Sequence, residues 1–141
     1  MLLSNQNLYA LKTLKAHGLS CNNLDTVCRA TLVSRLLYAC PAWMGFAKSS
    51  DLDRLQSIVK RATKWGLLST SIQLTEQMDT ADQTLFAKVL CNPNHVLHPL
   101  LPPEKATPYN LRPKKHNLEI TINSVASSRN FLSRNIFRDI Y

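Results

Sequence analysis

A mainly α fold is predicted by the sequence, in the form of a small helical bundle followed by an irregular, proline-rich basic tail. Between Leu3 and Leu90, apolar residues recur at helical spacing and helix-breaking residues are few. Of the 7 prolines, by contrast, only Pro41 precedes Asn92, and proline cannot continue a helix. We therefore expect a helical domain over residues 1–98 and a tail over residues 99–141.

The first predicted helix runs from Leu3 to His17. Its residues Leu8, Leu11 and Leu14 are expected on one face, with Lys12 and Lys15 at the border of that face. A glycine follows the last periodic residue, where a left-handed residue commonly ends a helix. The pattern thus predicts one amphipathic helix that packs through leucines.

The second predicted helix begins near Leu24 and is capped by Asn22 or Asn23. From Leu32 to Cys40 it is apolar on nearly every side, which is typical of a central, buried helix. Pro41 should end or kink it, because proline lacks a backbone donor. The residues expected to pack in this helix include Leu32, Leu36 and Tyr38.

The third predicted helix, from about Leu52 to Trp65, contains the best candidate site. Ser50 and Asp51 are expected to cap it. At about 100° per residue, its apolar residues fall in one sector and a basic arc of roughly 120° lies opposite. The basic arc consists of Arg54, Lys60, Arg61 and Lys64. Such an arc can follow a phosphate backbone; the alternative is an ordinary solvated face, and Asp53 lies within the same arc.

A fourth helix is predicted from Thr80 to Cys91, with a separate short helix from Ile72 to Met78. Asp79 and Asp82 are interpreted as caps at the start of the fourth helix. In the tail, alternation from Leu118 to Ile122 favours a short strand, and residues 130–141 favour a terminal amphipathic helix.

The formal net charge of +8 predicts an anionic partner, with nucleic acid the commonest kind and a membrane surface the competitor. The longest apolar run, Leu36 to Ala47, is too short to span a bilayer, and Met1-Leu2-Leu3 does not begin a secretory signal. The 4 irregularly spaced cysteines favour reduced thiols. We expect an intracellular protein, nuclear or cytoplasmic, that is neither secreted nor bound to a membrane.

The tail supplies a second group of candidate nucleic-acid contacts, in which basic residues are interleaved with an aromatic one. They are Tyr109, Arg112, Lys114 and Lys115. This composition suits RNA, where stacking and phosphate contacts combine. A basic linker or a nuclear-localisation-like patch would have the same composition.

Chemistry at a metal or a nucleophile finds little support. Cys91, His95 and His98 have the residue types of zinc ligands, but their spacing matches no common structural zinc pattern, and packing or hydrogen bonding in a loop accounts for the histidines. The chain contains no phosphate-cradling glycine loop and no nucleophile elbow. We therefore predict no catalytic residue and no resident cofactor.

Six stretches of the chain resemble one protein family in residue type and order. They are Leu8–Leu19, Ser34–Trp43, Asp53–Ala62, Asn92–Pro103, Tyr109–Arg112 and Arg129–Tyr141. Together they resemble the region that follows the polymerase palm in jockey-like non-LTR retrotransposon reverse transcriptases, which are RNA-directed DNA polymerases. The resemblance covers nearly the whole chain and identifies the bundle as thumb-like.

This resemblance implies a fragment without an active site. The paired palm aspartates that bind the catalytic Mg²⁺ in this family should precede Leu8, so the chain is expected to be a truncated thumb and tail that is inactive alone. The implied partners are RNA or an RNA–DNA duplex, bound weakly and without sequence preference, and the missing palm domain.

A second interpretation stays open, in which the chain is a host-retained helical interaction module with a basic surface and no polymerase role. Arg35 also leaves two alternatives, since it is the one charged residue within the most apolar predicted helix. It either surfaces at the edge of the bundle or contacts the missing palm.

Overall fold

The computed structural model describes residues 2–105, 116–119 and 124–138 of the chain. Within these ranges the protein is mainly helical, and the only β pairing is an isolated antiparallel bridge between Glu104 and Leu118. The predicted mainly α fold is confirmed. The described residues divide into two compact units: unit 1 lies within 1–40 and 47–78, and unit 2 lies within 41–46 and 79–141.

Helix α1, Leu2–Ala16, is followed by Gly18 at φ +88°, the left-handed conformation that the sequence predicts there. Leu8 and Leu11 are buried, but Leu14 is 42% exposed, so the prediction of one shared leucine face is wrong. At about 100° per residue, Leu14 lies about 120° around the axis from Leu8. The buried side instead continues towards Ser4.

The second predicted helix consists of α2, Cys21–Cys28, a π-helical turn, Arg29–Val33, and α3, Ser34–Leu37. Its N-cap is Ser20, whose hydroxyl accepts the Asn23 N–H at 3.4 Å, rather than Asn22 or Asn23. The helix begins earlier than predicted, which places both asparagines inside its first turn. Its buried residues, which make it a core element of unit 1, are Leu24, Cys28, Leu32, Val33 and Leu36.

This helical segment stops before Pro41, as predicted. Tyr38 has left the helical conformation with ψ 125°, and Ala39 has φ 48°. The turn directs Tyr38 to solvent, where it is 79% exposed, so the prediction that it packs is wrong. Arg35 is exposed, in agreement with the first of its two alternatives. The chain continues through α4, Cys40–Trp43, and a 3₁₀ turn, Met44–Phe46.

Helix α5, Ser49–Lys64, contributes Ile58, Val59 and Ala62 to the core of unit 1. Its N-cap position is Lys48, which makes no side-chain cap, so the predicted capping by Ser50 and Asp51 is wrong. The helix starts one residue before that pair. Asp51 nevertheless lies in the first turn, where a negative charge favours the helix dipole.

Helix α6, Leu74–Cys91, is one continuous helix of 18 residues, so the two separate helices predicted for this stretch are wrong. The interpretation of Asp79 and Asp82 as N-terminal caps is wrong as well, because both lie in the body of α6. The boundary between the two units falls within this helix.

Unit 2 has its own apolar core, formed by Phe86 and Val89 of α6 with Phe131 and Ile136. The rings of Phe86 and Phe131 meet edge to face, with centroids 6.3 Å apart. A 3₁₀ turn, His98–Leu100, follows α6, and the last described elements are α7, Val125–Arg129, and α8, Phe131–Arg138.

These last elements confirm the predicted terminal helix over the residues described. Of the predicted strand, Leu118 forms the isolated bridge, while Ile120 and Ile122 lie outside the described residues. The division of the chain at residue 98 stays a prediction. Within the described residues, the tail supplies half of the buried core of unit 2 through Phe131 and Ile136.

Candidate nucleic-acid interface

The basic arc predicted on the third helix is an exposed face of α5. Lys60, Arg61 and Lys64 are all exposed, whereas Val59 and Ala62, on the opposite side of the same turns, are fully buried. An amphipathic helix of this kind fixes its orientation through its apolar side, so its cations are held towards solvent. The local sequence therefore positions three positive charges within the last two turns of the helix.

Arg54, the fourth predicted residue of the arc, differs from the other three. Its guanidinium Nη1 lies 3.6 Å from Oδ1 of Asp51, and both side chains are more than half exposed. Such surface pairs contribute about 0–1 kcal/mol, but they offset the charge locally. With Asp53 also exposed nearby, the positive potential of α5 is concentrated at its C-terminal end.

A hydrogen bond from Arg61 Nη2 to Oδ1 of Asn5, at 3.2 Å, ties α5 to α1 within unit 1. The two helices pack against each other, so the cations of α1 lie beside the end of α5. Lys15 Nζ donates to the carbonyl oxygens of Trp65 and Gly66 at 2.6 and 3.4 Å. A lysine in this position satisfies carbonyls left without partners at the helix end.

Lys12 lies about one turn before Lys15 in α1. Its Nζ lies 5.5 Å from the centroid of the Trp65 ring, within the range of a cation–π interaction. Trp65 stands directly after α5 and is 37% exposed. We name the surface formed by Lys12, Lys15, Lys60, Arg61 and Lys64 the α1–α5 basic face. The α1 half of this face is not predicted by the sequence, in which its only signal is two lysines at the border of an apolar face.

Acidic residues are not part of this face. Among the residues that the structure describes, no carboxylate lies within ion-pair distance of Lys12, Lys60 or Lys64. The five cations of this face form no ion pair with a carboxylate among the described residues, so they produce a local positive potential that attracts anionic ligands over several ångströms.

A second polar cluster in unit 1 has its charges satisfied internally. Asp25 accepts hydrogen bonds from the backbone N–H and the hydroxyl of Ser69 at 2.7 and 2.9 Å, and from Nε of Arg29 at 2.7 Å. The backbone N–H of Ser69, followed by Arg29, holds the pKa of the Asp25 carboxyl below its ordinary value of 3.8. Arg29 also donates to Thr70 at 2.9 Å. This cluster joins α2 to the loop after α5.

Cys28, next to this cluster in sequence, is not a reactive thiol. Burial, followed by the charge of Asp25, raises the pKa of Cys28 to about 11. A buried thiol with such a pKa remains protonated at neutral pH and is a poor nucleophile. Cys40 is also buried, while Cys21 and Cys91 are exposed, and no disulfide joins any two of these four described cysteines.

In unit 2, the main polar feature is a buried carboxylate, Asp82, which is 0% exposed. Arg134 of α8 donates to it from Nη2 at 2.7 Å and from Nε at 3.1 Å. The same guanidinium donates to the backbone oxygens of Arg129 and Pro41 at 3.1 and 3.3 Å. Asn135 adds a further donor to Asp82 at 3.2 Å. The guanidinium of Arg134 is therefore occupied by hydrogen bonds within unit 2. The ion pair between Arg134 and Asp82 is not predicted by the sequence.

The weak metal candidates show no shared site in the described part of the chain. No group of three or more potential ligand side chains comes together there. His95 uses Nδ1 to accept the backbone N–H of Leu97 at 3.1 Å, a local turn contact of the kind expected from the sequence. The tail candidates Tyr109, Arg112, Lys114 and Lys115 lie outside the described residues.

No family model matches the chain, and the comparisons with curated proteins and with solved structures find no match either. Across the described residues, every helix is too short or too polar to cross a membrane. The geometry of the α1–α5 basic face is thus the main guide to function.

Proposed function

We propose that the α1–α5 basic face binds RNA or an RNA–DNA duplex through the phosphate backbone, weakly and without sequence preference. One observation supports this above all others: Lys60, Arg61 and Lys64 are exposed on a well-packed helix, and α1 adds further cations beside them. Phosphate contacts of this type position a nucleic acid and read little of its sequence.

The expected affinity follows from counterion release. If about four phosphates are neutralised, log K should fall against log salt with a slope of roughly −3. Non-specific affinities of such sites are typically about 10⁻⁴ to 10⁻⁶ M at physiological salt, and a face of five cations belongs at the weak end.

The resemblance to retrotransposon reverse transcriptases gives this surface its role in the proposal. A thumb grips the template–primer duplex beside the palm, and α5 is the element of this chain that would do so. We do not assign polymerase chemistry to the described residues. Two-metal catalysis needs carboxylates that converge on the ions, whereas Asp82 is bound by Arg134 and Asp79 by Arg138.

The proposal is tested by titrating labelled single-stranded RNA and an RNA–DNA duplex with the protein at several salt concentrations, with fluorescence anisotropy as the readout. The triple variant Lys60→Gln, Arg61→Gln, Lys64→Gln should weaken binding and flatten the salt slope by about 2 to 3 units. A matched control removes three exposed cations elsewhere, by Arg35→Gln, Lys48→Gln and Lys88→Gln. It lowers the net charge equally and should leave most of the slope in place.

A further control separates charge from helix packing, because Arg61 also holds Asn5. The Asn5→Ala variant loses that hydrogen bond without changing the charge, so its duplex binding and its salt slope should match those of the unaltered protein. If the triple variant and the matched control weaken binding equally, net charge alone explains the affinity and the proposal fails. Absence of binding at low salt would equally overturn it, and the interaction-module interpretation would gain. Preferential binding to anionic vesicles would point to a membrane surface instead.

A further inference from the structure

Trp65 lies next to the cations of the α1–α5 basic face. It follows the last residue of α5, and its backbone N–H donates to the carbonyl of Arg61 at 3.0 Å. Its carbonyl is held by Lys15 at 2.6 Å. The backbone of Trp65 is therefore fixed from two helices, while 37% of the residue is exposed to solvent. A large, partly exposed aromatic ring with a fixed backbone is suited to hold a planar ligand.

In the free protein, Lys12 covers one face of the Trp65 ring. Lys12 Nζ lies over the ring at 5.5 Å, where the π-electrons attract the cation. Exposed contacts of this type are weak and exchange readily with other partners. A nucleobase can take the place of the ammonium on the ring, and the ammonium then becomes available to a phosphate of the same strand.

We propose that Trp65 is a stacking platform for an unpaired base of single-stranded RNA or DNA, with Lys12 and Lys64 holding the flanking phosphates. The inference rests on the proposed function, since the α1–α5 basic face must first bind nucleic acid. The inference adds a ligand preference to the proposed function. A single strand can place a base against the ring, whereas the bases of a duplex are stacked within the helix.

Lys15 and Arg61 have a different role in this site. Lys15 is held by the carbonyls of Trp65 and Gly66, and Arg61 by Asn5. Both fix the junction of α1 and α5 on which the ring is mounted. Gly66, with φ +64°, forms the turn at this junction, and a Cβ there would lie 2.7 Å from Lys15 Nζ. The platform is thus built by the helix junction, and Lys12 and Lys64 are the residues of the face that would hold the phosphates beside the ring.

Tryptophan fluorescence tests the inference directly. Trp43 is the only other tryptophan, so the Trp43→Phe variant, once circular dichroism shows it folded, reports on Trp65 alone. We expect a short oligo(U) or oligo(dT) to quench this fluorescence in a saturable way. Inorganic polyphosphate, which offers charge without bases, should compete for the face without producing that quench.

Two substitutions complete the test, in the otherwise unaltered chain. Trp65→Leu should weaken single-strand binding about tenfold, which is the usual effect of losing one aromatic stack, and leave the salt slope and duplex binding unchanged. Trp65→Tyr keeps an aromatic face and should retain most of the affinity. This second variant keeps the inference testable should Trp65→Leu fold poorly.

The outcomes separate the inference from the proposed function. Binding without quenching, or quenching by polyphosphate as well, would overturn stacking while leaving the phosphate-binding proposal intact. Trp65→Tyr and Trp65→Leu with equal single-strand affinity to the parent would overturn it too. Loss of all binding in the parent protein would end both proposals.

Discussion

Arginine 134 in unit 2 and the lysines of α5 in unit 1 are basic residues of helices, yet their surroundings differ in every respect. Arg134 donates to a buried carboxylate and to two backbone oxygens. Lys60 and Lys64 are exposed, and no carboxylate among the described residues pairs with them. Positive charge in this sequence therefore has two uses, and only the second leaves it available to a ligand.

Energetics make the two uses separable by experiment. A buried ion pair adds little net stability over an apolar replacement of both partners, because each charge must leave water. Removal of one partner is different, since it leaves the other charge buried and unpaired. An exposed lysine has no such partner to lose. Substitutions of Arg134 should therefore change mainly stability, whereas substitutions of the exposed lysines of α5 should change mainly ligand binding.

The largest effect is expected for Arg134→Ala, which leaves the fully buried Asp82 without its cation. The free energy of unfolding of unit 2 should fall by about 3–5 kcal/mol. Urea unfolding followed through Trp43, in a Trp65→Phe background, measures it. The matched control is Arg138→Ala on the same helix, whose pair with Asp79 at 2.7 Å is partly exposed on both sides. It should lose no more than about 1 kcal/mol.

Equal losses in the two variants would contradict this assignment, because they would mean that burial of Asp82 does not matter. The variant Arg134→Lys provides a further check. A lysine cannot reproduce the forked geometry that reaches Asp82, Arg129 and Pro41 together, so most of the loss should remain.

A smaller effect is expected from Gly45→Ala. A Cβ at Gly45 would overlap the backbone oxygen of Arg129 and the guanidinium of Arg134, which it approaches closely. The carbonyl belongs to the backbone and cannot simply rotate away. Overpacking of this kind costs about 1–3 kcal/mol, measured by the same unfolding experiment. Gly18→Ala, at a site with no neighbour in reach, isolates the cost of the left-handed backbone alone. If Gly45→Ala unfolds at the same urea concentration as the parent, the close approach is not part of the folded protein in solution.

The exposed face of α5 and the pair of Asp82 with Arg134 also show which features can be predicted from the sequence and which cannot. The face of α5 was predictable because its apolar and basic residues alternate with a local period, and the observed burial of Val59 and Ala62 matches it. Asp82 was misinterpreted as a cap because its partner Arg134 is 52 residues away, and no local pattern connects them. The same misinterpretation hid the continuous α6, because taking Asp79 and Asp82 as caps places a helix start in the middle of it.

Local rules also failed at helix starts, where the caps of α2 and α5 were misplaced by a few residues, and at positions where the packing of other segments decides the outcome. The end of the second helical segment near Pro41 was predicted from proline chemistry, but the turn at Ala39 that exposes Tyr38 was not. Similarly, Lys12 and Lys15 could be placed on the first helix, whereas their contacts with Trp65 depend on how α1 and α5 pack. The site was therefore half predictable: the residues of one helix could be named, and their neighbours could not.

Asp25 should show an intermediate case, a charged residue whose partners are close but solvent-accessible. Its folded pKa lies below the ordinary 3.8, chiefly through the backbone N–H of Ser69. Its contribution to stability is therefore fully present above that value and is lost as the pH falls through the depressed pKa. The variant Asp25→Asn should unfold more easily than the parent at pH 7, and the difference should shrink below about pH 4. Thermal unfolding at both pH values measures it, and a difference that is constant with pH would contradict the assignment.

The smallest effect, and one of opposite sign, is expected for Lys60→Gln or Lys64→Gln. These lysines are four residues apart on the exposed side of α5, so the two positive side chains are neighbours on the helix surface. Like charges at this spacing destabilise a helix by about 0.2–0.5 kcal/mol, an effect that salt screens. Lys60→Gln should therefore be as stable as the parent or slightly more so at low salt, and the difference should vanish at high salt; Lys64→Gln should gain less, because Lys64 lies in the last turn of α5, where a positive charge favours the helix dipole. The same substitutions are expected to weaken nucleic-acid binding, so a gain in stability with a loss of binding would show that this pair contributes to ligand binding at a cost in stability. If Lys60→Gln is clearly less stable than the parent, Lys60 has a structural partner in solution, and α5 would then resemble the Arg134 region rather than contrast with it.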